Sequence, residues 1–198
     1  MRRLLALTFL PLAVPSLGSA QDPPLIYIDP GHGGDQPGVV VDGLEEEDFV
    51  LRWGFLLSEA FSGAGYETRM SRSGDVGPSF QERIDRASAD GADLFLSLHI
   101  NRDDDPSMWG TEIFLAEELG PTVEAAEAVA AELESLGAKV TLIGQSWEVL
   151  KTTAFPTLMI ELGHLSHPVE RRLVTSRAYW EEVSMALVAA ADEMFDRR

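Results

Sequence analysis

Two histidines and two glutamates are spaced along the chain so that they could share one site. Leu25-Ile26-Tyr27-Ile28-Asp29-Pro30-Gly31-His32-Gly33-Gly34 carries an apolar run into a Pro-Gly break with a histidine inside it. Ala92-Asp93-Leu94-Phe95-Leu96-Ser97-Leu98-His99-Ile100-Asn101 repeats the arrangement, with Asn101 two residues past its histidine. Phe155 to Gly163 repeats it again, ending on Glu161-Leu162-Gly163. The fourth group, Glu46, lies in an acidic run that opens an amphipathic segment. Two imidazoles and one carboxylate are a common catalytic zinc set, leaving a coordination position for water. Zinc lowers the pKa of that water towards about 7 and polarises a carbonyl. A further carboxylate, off the metal, can then take the proton and deliver it to a leaving nitrogen. On this reading His32, Glu46 and His99 hold one Zn2+, and Glu161 is the acid/base.

Each signal taken alone has a plainer explanation. A single histidine in a glycine turn can be a capped core residue. The Gly-x-Gly of residues 31–33 lacks the third glycine of a dinucleotide loop, since Gln36 stands there. The weight comes from recurrence and from what must position the groups. None of the three apolar runs alternates with polar residues, so each reads as a strand buried on both faces, as in a parallel sheet. In open α/β sheets, sites form just beyond the carboxyl ends of such strands, and His32, His99 and Glu161 occupy those ends. Gly43 to Phe61 reads as a helix with Phe49, Val50, Trp53, Leu56, Leu57, Ala60 and Phe61 on one face. At about 100° per residue, Glu46 falls roughly 10° from the centre of that face, and Glu45 and Glu47 fall roughly 90° and 110° away. A carboxylate on a buried face is costly without a cation or donors, which marks Glu46 as the inward one and leaves its neighbours solvated.

Further elements follow from local chemistry. A strand is expected at 66–70 and a helix from the capping box Ser79-Phe80-Gln81-Glu82 to Asp90, stopped by Gly91. Arg83 and Arg86 read as surface or loop-bracing residues. A strand at 111–116, a helix from Pro121 to Leu136 stopped by Gly137, a short strand at 139–143 and a closing helix from Arg177 to about Met194 complete the pattern. His164 and His167 read as satisfied surface histidines, with His164 a candidate for the groove.

Composition narrows the function. Residues 1–20 have Arg2 and Arg3, an apolar stretch from Leu4 to Val14, and Gly18-Ser19-Ala20, the pattern of an export signal. The 178 residues from 21 to 198 suit one domain, and the expected location is periplasmic or extracellular. With no cysteine, the chain has neither disulfides nor thiolate metal sites. The net charge of −18 becomes −20 once Arg2 and Arg3 are removed. It argues against binding nucleic acid or an anionic membrane through a basic surface. Gly144-Gln145-Ser146-Trp147-Glu148 fails the serine-hydrolase pattern at its last position. The absence of His-Glu-x-x-His argues against the common zinc peptidases.

Five segments, in order, resemble the zinc-dependent N-acetylmuramoyl-L-alanine amidases of the family-3 type. They are Ile28-Asp29-Pro30-Gly31-His32-Gly33-Gly34, Gly43-Leu44-Glu45-Glu46, Ser97-Leu98-His99-Ile100-Asn101, Gly110-Thr111-Glu112-Ile113-Phe114, and Pro156 to Ser166. The resemblance implies an open, mostly parallel but mixed α/β sheet of about six strands, with helices on both faces. It implies cleavage of the amide between N-acetylmuramic acid and the L-alanine of the peptidoglycan stem. It also implies zinc on His32, Glu46 and His99 and catalysis by Glu161, with Asp29, Asn101 and His164 behind the ligands or along the groove. The chain departs from the family in Glu47, where lysine is usual, and in His164, where phenylalanine is usual. The span between Gly110 and Pro156 leaves no room for the inserted segment that blocks regulated members, so an open groove is expected. The expectation is a monomer without an appended wall-binding module. A wall-binding protein without catalysis and a zinc peptidase acting within peptides are the alternatives.

Overall fold

A computed structural model of the chain describes residues 22–116, 120–145, 150 and 155–196; the expected export signal and Ser146–Trp147 lie outside them. The elements run β1 (Leu25–Pro30), β2 (Val40–Val41), β3 (Leu44–Glu45), α1 (Glu46–Gly63), β4 (Glu67–Met70), α2 (Phe80–Asp90), β5 (Leu94–Asn101), β6 (Thr111–Leu115), α3 (Pro121–Ser135), β7 (Val140–Gly144), β8 (Thr157–His164), α4 (Glu170–Val174) and α5 (Arg177–Met194). Six strands form one sheet in the order β4-β1-β5-β8-β6-β7, and β2 and β3 form a separate hairpin. All neighbours in the sheet are parallel except β6 and β8. This is the expected mixed, mostly parallel sheet.

Side-chain alternation explains the layers. Ile26 and Ile28, Leu94, Leu96, Leu98 and Ile100, and Leu158, Ile160 and Leu162 belong to the large core that includes Val50, Trp53 and Leu57 of α1, Val129 of α3 and Leu187 of α5. Tyr27 and Phe95 point the other way and pack with Ala87 of α2. Fully burying a side chain such as Leu96 or Trp53 is worth about 1.5–3 kcal/mol or more, so the strands are pinned from both sides. Among the described residues the second face carries α2 against Tyr27 and Phe95, and further along a smaller buried cluster of Phe114, Leu150 and Met159.

The chain leaves β1 for β4 on one side, while β5 leads towards β8, β6 and β7 on the other. The crevice at such a reversal is where open α/β sheets bind ligands. His32 and His99 stand on its two sides.

Two local readings are corrected. Helix α1 starts at Glu46, not Gly43, because Val40–Val41 and Leu44–Glu45 pair as an antiparallel hairpin. Its turn is Asp42-Gly43, both with positive φ (52° and 79°). That chemistry suits a two-residue hairpin loop. The five-residue α4 was not expected. The capping box at Ser79 and the left-handed Gly91 are as expected. Among the described residues no helix is long and apolar enough to cross a membrane.

Candidate active site

Glu46 is the hub of the site. Helix α1 begins at this residue, and its backbone N–H donates to the Val39 carbonyl at 2.9 Å, so the hairpin fixes the helix start. The side chain is 2% exposed, as the helical angle predicts. Its Oε1 accepts from the Ile100 N–H at 3.0 Å and lies 2.9 Å from His99 Nδ1. Its Oε2 accepts from the Val39 N–H at 2.8 Å and lies 3.1 Å from His32 Nε2. The two imidazoles meet edge to face, 4.9 Å apart at their centroids. Close approach is possible because Gly31 and Gly38 lack side chains. A Cβ at Gly31 would sit 2.3 Å from His99 Cε1, and one at Gly38 would sit 2.4 Å from Glu46 Oε2.

Burial alone would raise the Glu46 pKa; the two histidines donating to it overcome this and hold it well below the carboxylate range. Burial likewise opposes a charge on His99, but Glu46 beside it raises that pKa. The donor set fits a metal. One ligand atom from each of His32, Glu46 and His99 lies within 4.8 Å of the others, a span that bonds of about 2.0–2.2 Å can bridge. His99 Nε2 is moreover buried with no hydrogen-bond partner among the described residues.

Glu161 lies beside this trio. In the parallel pairing of β5 with β8, His99 is opposite Glu161, and in the antiparallel pairing of β8 with β6, Glu161 is opposite Glu112. His99, Glu161 and Glu112 therefore form a row across three strands on the second face. Burial pushes the Glu161 pKa up to about 7, with Glu46 and Glu112 adding to it and His99 and His164 opposing. Glu161 Oε2 is buried and has no hydrogen-bond partner among the described residues. A cleft of about 510 Å³ opens over the row, lined among others by His32, Val39, Val40, Glu46, His99, Asn101, Arg102 and Glu161. A larger hollow of about 640 Å³ is lined by residues of α3 and the end of α5; it has four carboxylate residues and no histidine.

Residues 26–193 match the sequence profile of the N-acetylmuramoyl-L-alanine amidase family. The chain belongs to this family. Among its relatives, an uncharacterised protein, YqiI, of Bacillus subtilis strain 168 is 28% identical, with 98% of each chain aligned. N-acetylmuramoyl-L-alanine amidase LytC of the same strain is 27% identical over 82% of this chain but only 34% of its own length. The crystal structure of an N-acetylmuramoyl-L-alanine amidase from Clostridium difficile 630 superposes with a TM-score of 0.84 at 23% identity, over 90% of this chain and all of that one. At that identity the likeness shows the fold. The amidase fold and the six-stranded sheet agree with the sequence reading.

Within this family member, the three residues expected behind the ligands or along the groove part ways. Asn101 lines the cleft and donates to Glu112 Oε2 at 2.9 Å. Asp29 is buried, bound by Arg83 at 2.7 Å and by Ser71 and Ser97. His164 is neither a surface histidine nor part of the cleft lining. It is 2% exposed and stands on the face where α4 packs, with Nδ1 3.4 Å from Glu170 Oε2. Arg83 braces a loop as expected but is buried, whereas Arg86 is exposed and donates to the Ser71 carbonyl. Sequence reasoning gave Glu112 no role; only the β6–β8 register places it beside Glu161.

Proposed function

We propose that the protein is an exported, zinc-dependent amidase. It hydrolyses the amide between the lactyl group of N-acetylmuramic acid and the L-alanine of the stem peptide in peptidoglycan. The observation that carries this is the placement of His32, Glu46 and His99 around one point, with Glu161 on the neighbouring strand, its buried Oε2 without a hydrogen-bond partner among the described residues. Family membership narrows the substrate class.

His32, Glu46 and His99 would hold the zinc. When bound there, the ion supplies Lewis acidity, polarising a carbonyl and acidifying water. The chain's own groups do the rest. Glu46, fixed by two backbone N–H groups, keeps both imidazoles aimed at one centre. Glu161 accepts a proton from the water that attacks the amide carbon. It then returns that proton to the alanine nitrogen as the C–N bond breaks, so nitrogen leaves as a neutral amine. A carboxyl pKa near the working pH suits both halves of that transfer. Asn101 lines the cleft and donates to Glu112, the cross-strand neighbour of Glu161.

The test is product analysis by mass spectrometry after the zinc-loaded protein digests purified peptidoglycan. Free stem peptides beginning with L-alanine, lost on adding chelator and recovered with zinc, are the expected outcome. Cleavage within the stem peptide would make it a peptidase instead. An intact wall with bound zinc would leave wall binding as the role.

A further inference from the structure

We propose that Arg72 and Arg83 act as a clamp that sets His32 against Glu46, which makes both arginines positioning residues of the metal site. The proposal rests on the reading of His32, Glu46 and His99 as ligands. His99 sits on a regular strand and gets its place from the sheet. His32 has no such support. It lies past the end of β1 with φ at +59°, in the left-handed region that a residue with a side chain seldom adopts. Such a conformation persists only where the surroundings over-determine it.

The two guanidinium groups do that. Arg83 Nη2 donates to the His32 carbonyl at 2.7 Å, and its Nη1 donates to the Pro30 carbonyl at 2.8 Å and to Asp29. Its Nε reaches the Pro78 carbonyl at 2.9 Å. Arg72 Nε donates to the Pro30 carbonyl at 2.9 Å, and Nη1 to the Gly74 carbonyl at 3.1 Å. Arg72 Nη2 is shared between the carbonyls of Gly31 and Glu47, each at 2.8 Å. Three successive carbonyls, of residues 30, 31 and 32, are thereby held. One nitrogen also ties the residue before His32 to the residue after Glu46, so Arg72 fixes the separation of those two ligands.

Arg72 and Arg83 are each only 3% exposed. The positive charge of Arg83 lies close enough to disfavour the charge on Arg72, on top of burial. Two buried like charges oppose folding, so stability alone is a poor reason for the pair. A rigid, planar fork that reaches several carbonyls at once is what arginine offers and lysine does not. The clamp thus acts on metal-ligating side chains through backbone carbonyls, without touching the imidazole itself.

The test compares Arg72→Lys and Arg83→Lys with a core control, Leu133→Ala in α3. Each is measured for Zn2+ affinity by competition with a chromophoric chelator and for the thermal midpoint of the metal-free protein. Loss of a supporting partner typically weakens metal binding by about 10- to 100-fold, and each lysine variant should show a loss of that size. Leu133→Ala should lower the midpoint and keep the parent affinity. The four hydrogen bonds of Arg72 all go to carbonyls. Its replacement strands no carboxylate, so Arg72→Lys decides the matter if Arg83→Lys, which loosens the hold on buried Asp29, fails to fold. Lysine variants that bind zinc as tightly as the parent overturn the clamp and leave the ligand assignment standing. Affinity that falls in step with the midpoint in all three variants reduces the arginines to structural roles. A parent protein that does not bind zinc overturns the ligand assignment and the clamp together.

Discussion

Glu46 at the start of α1 and Glu161 on β8 both neighbour His99, and their surroundings push them in opposite directions. Burial raises the pKa of both. At Glu46 the donors win: two imidazoles and two backbone N–H groups favour the anion and hold its pKa low. At Glu161 burial dominates, no described residue donates to the buried Oε2, and Glu46 and Glu112 add negative charge nearby, so the pKa rises to about 7. One carboxylate is fixed as a permanent anion, fit to hold a cation. The other is poised to exchange a proton. Under the proposed function, environment and not residue type would divide the roles of ligand and acid/base.

Breaking the poised member should have the largest effect on turnover. Glu161→Gln keeps the shape and removes the proton carrier, so kcat should fall by about 10²–10⁴-fold while zinc content stays at one per chain. Stem-peptide release and metal analysis on the same sample check both halves. Activity close to that of the parent would remove Glu161 from the chemistry. Breaking the fixed member should show in the metal. Glu46→Gln leaves buried His99 and half-buried His32 without their anion, so zinc affinity should fall by more than the roughly 10- to 100-fold seen when a supporting partner is lost. Retained tight binding would mean that Glu46 only orients the histidines.

The comparison sharpens further without metal. Between about 4.5, the ordinary value for Glu161, and about 7, its value in the fold, the folded state keeps a proton that the unfolded state releases. Stability of the metal-free protein should therefore fall as pH rises through that window, by at most about 1.4 kcal/mol per pH unit for this one group. Glu46 works the other way: its contribution is present above the ordinary value of 4.5 and disappears as pH falls through its lower folded value. Urea midpoints across the window should slope downward in the parent and flatten in Glu161→Gln. An unchanged slope in the variant would assign it to another group.

These contrasts also mark what could be read from the sequence. The three strands were legible because unbroken apolar runs ending in an ionisable residue leave little choice of environment, and Glu46 because helical geometry singles out one of three adjacent glutamates. The hairpin before α1 was signalled by Asp42-Gly43 between apolar residues, yet the acidic run behind it read more strongly as a helix start. Glu112 was hidden for a different reason: it meets Glu161 only because β6 turns back and runs antiparallel to β8, and register between distant strands leaves no local trace. Arg83 reads like any arginine on a polar helix face, since the Asp29 carboxylate and the Pro30 and His32 carbonyls that it binds lie far away in the sequence. His164 was misplaced because α4, which covers it, is five residues long and follows Pro168, too short to announce itself by periodicity.

His164 offers the smallest and most specific effect. Glu170 beside it raises the imidazole pKa against the opposing effect of burial. Burial raises the Glu170 pKa in turn, but His164 and two backbone N–H groups, of Gly110 and His164, outweigh it and bring that pKa down. The histidine's contribution is therefore fully present below its ordinary value of 6.5 and is lost as pH rises through its higher folded value. The glutamate's contribution is present above 4.5 and is lost as pH falls through its lower one. Both are fully present together only between those two ordinary values. At 3.4 Å the contact is an ion pair more than a hydrogen bond. His164→Phe should therefore cost about 1 kcal/mol near the middle of that window and less at high pH, where the parent imidazole is neutral and Glu170 still has its two N–H donors. An equal loss at both ends would mean that His164 acts by packing alone, and its charge would then play no part in raising or lowering Glu161 next to it.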